Sequence, residues 1–306
     1  MSNLEEQLEK IPIVRNIVRL TQRVKLPWLE GLSLYELLRL YIIGIAQGAF
    51  SYRAGAIAFS FFMALFPFAL FILNLIPFIP IEGFQDNFLE FIEQNVPPNT
   101  YDSIRNIVDD ILNNSYQGLL SWGFILSIFL MSNGINAILG GFESSYHITI
   151  TRSIVKQYLI SVALSLLLSL ILIVTVAAIV IAEVLMLKIE LHQFIGDITF
   201  IQVTSYGFVT LMLLITTSIL FKFATQQTRQ VSFISIGSVF TTLLILLSSY
   251  IFGIYVVKFA KYNELYGSIG TLLILMFYIW INCMILLLGF ELNATINKFK
   301  RKNLYL

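Results

Sequence analysis

Between Leu265 and Phe290 the chain runs 26 residues without a charged side chain. As a helix rising about 1.5 Å per residue, such a run crosses a hydrocarbon core of about 30 Å with some tilt. Five more uncharged runs precede it: Ala54–Ile81, Ile111–Phe142 (polar until about Gly118), Gln157–Ala182, Ile198–Phe221 and Gln230–Val257. Only 12% of the residues are charged, against about 25% in ordinary soluble domains. The expected fold is therefore all-α: a polytopic membrane protein of six transmembrane helices, with N-terminal interfacial helices and an outer amphipathic helical loop.

The distribution of charge sets the expected orientation. With both termini, 147–156 and 222–229 on the cytoplasmic side, that side holds fifteen Lys and Arg residues and the other holds four. Three regions follow: an interfacial lead (1–53), the six-helix membrane domain (54–297) with its outer loop 82–118, and a basic tail (298–306). In the lead, Ile13, Val14, Ile17, Leu20 and Val24 recur at helical spacing beside Arg15, Arg19 and Arg23. That pattern suits a helix lying on anionic lipid, or equally a solvated basic helix packed on its own protein. A second amphipathic segment spans 32–48. The outer loop carries seven carboxylates and one basic residue, with an apolar-faced helix expected over 100–112. Pro67, inside the first span, is expected to kink it.

Polar residues within the runs are not scattered. In the last run Ser268, Thr271, Tyr278, Asn282, Gly289 and Asn293 fall within about 40° of Asn282 at 100° per residue, and Glu291 points the opposite way. In the second, Trp122, Asn133, Asn136, Gly140, Ser144 and His147 share a face; in the third, Ser161, Ser165, Ser169 and Thr175 do. The fourth aligns Tyr206, Thr210 and Thr217, and the fifth Ser235, Thr242, Ser249 and Gly253. Hydroxyls can bond their own helix carbonyls, so the amides are the stronger sign of a polar interior. Asn74, Asn133, Asn136, Tyr278, Asn282 and Asn293 are candidate cavity-lining residues; helix packing is the competing reading. Arg53, Glu143, Lys222 and Glu291 stand at the expected cytoplasmic ends of spans. There they either pair across the inner mouth, with Glu291 meeting Arg53 or Lys222, or reach to headgroups. Glu183, about a turn inside the outer boundary, is a candidate titrating group.

No Walker loop, HExxH, GxSxG or paired-metal carboxylate cluster is present, so no catalytic residue, metal site or cofactor is expected. The formal net charge of +1 gives no sign of a nucleic-acid partner. The lone Cys283 excludes an intrachain disulfide. Membrane lipids are the expected partners, with a second copy or an envelope protein as further possibilities.

Three blocks resemble the YihY/BrkB family of bacterial inner-membrane proteins. They are YNELYGSIGTLLILMFYIWINCMILLLGFELNATI, AGAIAFSFFMALFPFALFIL and SNGINAILGGFESSYHITITRSIVKQYL. The resemblance covers roughly 35–297 and bears on Pro67, Asn133, Tyr266, Gly267, Glu291 and Asn293. It implies six spans with both termini cytoplasmic, in a bacterial inner membrane. The ribonuclease BN label once carried by the family is generally regarded as a misassignment, and the resemblance implies no catalytic motif. Three functional readings result: a transporter or lipid- or amphiphile-handling protein with a polar bundle interior, an envelope-assembly scaffold, and, last, an intramembrane enzyme.

Overall fold

The computed structural model describes residues 33–47, 49–75, 117–145, 147–148, 152–188, 198–226, 232–259 and 268–304, with residues 86, 89, 90 and 93 besides. Among the described residues seven helices are placed: α1 (Leu34–Gln47), α2 (Phe50–Leu75), α3 (Gln117–Glu143), α4 (Ile154–Lys188), α5 (Ile198–Phe223), α6 (Ile236–Phe259) and α7 (Ser268–Leu304). Helices α2 to α7 fall on the six uncharged runs. Among the described residues, four helices are long and apolar enough to cross a membrane, within α4, α5, α6 and α7. A shorter apolar stretch, Phe50–Leu65, lies in α2. The chain is an all-α polytopic membrane protein. The basic lead with Arg15, Arg19 and Arg23, the expected 100–112 helix, Tyr266 and Gly267 lie outside the described residues. So do the side chains of Pro67, Asn74 and Glu183, although the backbone is helical at all three.

Local chemistry sets the helix starts. At α1 the Ser33 hydroxyl accepts the Glu36 amide at 3.2 Å, and the Glu36 carboxylate accepts the Ser33 amide at 3.1 Å. Each satisfies a donor that the first turn would otherwise orphan, the reciprocal pattern of a capping box. At α6, Ser235 and Ser238 make the same exchange, at 3.1 and 2.9 Å. Helix α1 ends at Gln47 and α2 begins at Phe50. Ala49 adopts φ 44° there, a left-handed conformation that costs a residue with a Cβ. Its carbonyl accepts the Arg53 amide at 3.1 Å, which fixes Arg53 in the first turn of α2.

The spans close into a ring. Helix α2 packs on α3, α3 on α4, α4 on α5, α5 on α6, α6 on α7, and α7 back on α2. Small residues bring the tightest neighbours together. A Cβ on Gly141 of α3 would meet the Ile57 side chain of α2 at 2.6 Å, and one on Gly134 would touch Ala64 at 3.5 Å. Helix α1 lies outside the ring against α7, with Leu37 packed on Ile296 and Leu292.

The faces turned outward are apolar. Leu159, Leu166, Leu170 and Val174 of α4, with Leu243, Leu247 and Ile251 of α6, are exposed, while Ser161, Ser165, Ser169 and Thr175 of α4 are buried. A water-soluble bundle would reverse this arrangement; it is the one hydrocarbon solvent selects. At one level of the interior, Phe142, Phe221 and Phe290 join α3, α5 and α7. Phe142 stacks on Phe290 with centroids 4.4 Å apart, and Phe221 meets Phe142 edge-on at 5.6 Å.

Candidate functional site

Six helix segments meet at one face of the ring, and polar contacts hold them there. The Arg152 amide donates to the Glu143 carboxylate at 3.3 and 3.4 Å, and the Arg152 guanidinium donates to the carbonyls of Phe223 and Ala224 at 2.8 and 3.4 Å. The end of α3, the start of α4 and the end of α5 are thereby joined. Asn293 joins α7 to the start of α6. Glu291 joins α7 to the start of α2 and the end of α3. Consecutive spans therefore run in alternate directions.

Glu291 is fully buried. The Ser145 hydroxyl donates to its Oε2 at 2.7 Å, and Arg53 Nη2 lies 4.0 Å from the same oxygen. Its Oε1 makes no hydrogen bond and faces His147 Nε2 at 3.7 Å. On the far side of that ring, His147 Nδ1 lies 3.4 Å from Lys298 Nζ. Arg53 also donates to the Ser144 carbonyl at 3.5 Å. Three basic side chains and one hydroxyl thus surround a single carboxylate, as burial of a charge requires. Tyr41 of α1 closes the cluster, its hydroxyl donating to the Leu288 carbonyl at 3.2 Å. Burial, and then the Glu291 charge, push that phenol up to about 12, so it remains a neutral donor.

Asn293 lies on the opposite face of α7. Its Oδ1 accepts the Gly237 amide at 2.9 Å, and its Nδ2 donates to the Ser235 hydroxyl at 2.7 Å. It therefore caps the first turn of α6 from a neighbouring helix. The close approach needs two glycines. A Cβ on Gly289 would overlap Thr241 Oγ1, and one on Gly237 would lie 2.5 Å from Asn293 Cγ.

Other candidates have other surroundings. Asn136 accepts Gln157 Nε2 at 3.1 Å, an α3–α4 contact. Asn282 donates to the carbonyl of Tyr278 in its own helix at 2.8 Å, and its Oδ1 is buried with no hydrogen-bond partner. Tyr278 bonds Ser249 of α6 at 2.6 Å. Asn133 is half-buried on α3, and Lys222 is half-buried in the last turn of α5. The structure thus joins Glu291 with Arg53, while Asn136, Asn282 and Asn293 each bond a different partner. Ser145, His147, Lys298 and Tyr41 complete the Glu291 cluster. Lys298, seven residues on, falls within about 20° of Glu291 on α7, a signal present in the sequence. The Tyr41 contact spans 247 residues and leaves no such trace.

At the centre of the ring lies a cavity of about 430 Å³, lined by all six spans, among them Phe61, Met131, Leu168, Leu213, Ile245 and Leu286. Its five polar lining residues are Ser165, Ser169, Thr175, Thr216 and Thr217. Four of these turn their hydroxyls to carbonyls of their own helices, at 2.8, 2.9, 2.6 and 3.1 Å. The wall is consequently apolar where a polar interior is expected from the sequence, and among the described residues no asparagine lines it.

Fold and site together define an integral membrane protein: a ring of spans around an apolar cavity, closed at one face by a buried ionic cluster. The family model described as "Virulence factor BrkB" matches residues 44–304, and the chain belongs to that family. It is 31% identical to "Putative ribonuclease-like protein YfkH" of Bacillus subtilis (strain 168) over 258 residues, 81% of this chain and 90% of that one. It is 22% identical to "UPF0761 membrane protein NT05HA_1801" of Aggregatibacter aphrophilus (strain NJ8700) over 260 residues, 84% and 91% of the two chains. No solved structure matches.

Proposed function

We propose that this protein handles a lipid or another amphiphile inside the membrane, receiving the hydrocarbon part of its ligand in the central cavity. The cavity itself carries the reading. Its volume of about 430 Å³ lies within the range of small-ligand sites, roughly 300–1,000 Å³, and its wall offers hydrocarbon no polar competitor. The ionic face belongs on the cytoplasmic side of a bacterial inner membrane, an orientation supported by the bias of Lys and Arg toward that face. We read the protein as a non-enzyme: the fully buried carboxylate is enclosed by its own bundle and is out of reach of a polyanion such as RNA. A scaffold role is the second reading. It is favoured by the interhelical bonds of Asn136, Tyr278 and Asn293, which give the polar stripes a purely structural use.

A photoreactive acyl lipid, incorporated into discs holding the full-length protein, separates the two. Crosslinks on α4 and α5 at the cavity wall are expected, falling at least severalfold when Leu213→Trp fills the space while the melting temperature holds. Equal labelling of wild type and Leu213→Trp, or no labelling of those helices, would overturn the lipid reading and favour the scaffold.

A further inference from the structure

The Glu291 cluster has a layout that charge pairing alone does not require. One carboxylate oxygen, Oε2, takes the Ser145 hydroxyl and faces Arg53. The other, Oε1, has no hydrogen bond and looks at an imidazole nitrogen 3.7 Å away. That is roughly half an ångström beyond hydrogen-bond reach, about 2.7–3.2 Å. Glu291 and the His147 side chain are both fully buried, whereas Lys298 beyond them is exposed. An ammonium has only donors, so the 3.4 Å contact with Lys298 makes His147 Nδ1 the acceptor. The other nitrogen, Nε2, then carries the hydrogen and points it at Oε1.

We propose that Glu291 is a proton-binding site, loaded from the Lys298 end of the bundle through His147. Lys298 gives a proton to His147 Nδ1 and regains one from hydronium in the solvent. The Nε2 hydrogen passes to Glu291 Oε1. The imidazole is left neutral with its hydrogen on Nδ1, and the new carboxylic O–H donates back to Nε2. Two N–H bonds and one hydronium O–H bond break, two N–H bonds and one carboxylic O–H bond form, and the net change is one proton taken up. The groups facing the carboxylate are Tyr41 from α1, Arg53 from α2, Ser145 and His147 after α3, and Lys298 from α7 itself. Protonation removes the negative charge facing Arg53, which couples proton binding to the attachment of α2 and the end of α3 to α7. The inference does not depend on what the cavity holds.

Infrared difference spectra of the full-length protein in lipid discs, recorded as the pH is lowered, test it. A carbonyl band of a protonated, buried carboxyl should grow on acidification and be absent from Glu291→Gln. His147→Gln and Lys298→Gln, which leave the Glu291 carboxyl in place, should each retain the band. His147→Gln should move its midpoint by at least about one pH unit, a tenfold change in proton affinity. Lys298→Gln should move it by less, in the same direction. A band unchanged by Glu291→Gln overturns the site. If Glu291→Gln does not fold, the relay variants decide alone, and wild-type midpoints in both overturn the proposal.

Discussion

The ionic face and the central cavity both carry buried polar side chains and use them differently. At the face, polar groups reach across helices: Ser145 to Glu291, Asn293 to Gly237 and Ser235, Arg152 to Phe223. Around the cavity, the hydroxyls of Ser165, Ser169, Thr175 and Thr217 reach back to their own backbones, while the Ser165–Ser132 and Thr217–Thr242 hydroxyl pairs, at 3.1 and 3.2 Å, cross between helices there. A bond within one helix leaves its neighbour free to move away, whereas a bond between helices fixes a distance. The face is therefore a joint held by charged and amide groups, whereas around the cavity hydroxyl pairs join neighbouring helices within an apolar wall. The longer carboxylate, guanidinium and amide groups of Glu291, Arg152 and Asn293 reach past their own segment to a neighbour, whereas the short hydroxyls of serine and threonine also satisfy themselves on their own helix carbonyls.

The joint should break most completely at Gly289. A side chain there would overlap Thr241 Oγ1 and press on the Gly237 carbonyl, where backbone has little freedom to yield. Gly289→Leu is expected to abolish the monodisperse peak in size-exclusion chromatography, while Leu213→Trp at the cavity leaves it intact. Equal recovery of both would remove the distinction between the two regions.

Next in size is Arg53→Gln. Taking one partner from a buried ion pair costs about 3–5 kcal/mol, more than replacing both. A large fall in melting temperature is expected, partly reversed by Arg53→Met combined with Glu291→Met. If the single and double variants melt together, Arg53 contributes packing rather than charge.

Asn293→Leu should come third. Interhelical hydrogen bonds in membranes average about 0.6 kcal/mol and reach about 1.7, so losing two costs about 1–3 kcal/mol. Asn293→Asp keeps the acceptor for the Gly237 amide and should recover part of that loss in thermal melts. No recovery would mean that the amide acts by shape alone.

The six helices were legible because hydrocarbon length and charge exclusion are properties of single runs, and α2 to α7 fall where the uncharged runs lie. A cationic partner for Glu291 was legible as Arg53 or Lys222, since all three charges end apolar runs at the same expected level, and the structure places Arg53 there. The identity of the other partners was not. Glu291 points away from the asparagine stripe of its own helix, and nothing in one sequence tells which neighbour lies on that side. The apolar cavity was hidden for a different reason. A stripe of Ser165, Ser169 and Thr175 reads as polar by composition, and only rotamers show whether a hydroxyl faces a cavity or its own carbonyl. Asn293 shows the same gap: its periodicity placed it on a buried face, but the orphan amide that it caps belongs to another helix.

The smallest stability effect is expected at Asn282, which lies away from the joint. Its Nδ2 bonds the Tyr278 carbonyl within α7, and its Oδ1 is buried with nothing to accept from. Leucine is close in size, removes that orphaned acceptor and leaves a helix carbonyl already bonded in the ladder. A buried acceptor without a partner costs about 1–3 kcal/mol, which offsets whatever the amide contributes through Tyr278. Asn282→Leu should therefore melt within about 1 kcal/mol of wild type, or above it. A loss as large as that of Asn293→Leu would show that Oδ1 is bonded in the membrane, by water or a ligand, and would extend the joint toward the middle of the ring. Little or no change in melting, together with lost lipid crosslinking at the cavity, would instead give Asn282 a role in the ligand path that packing does not explain.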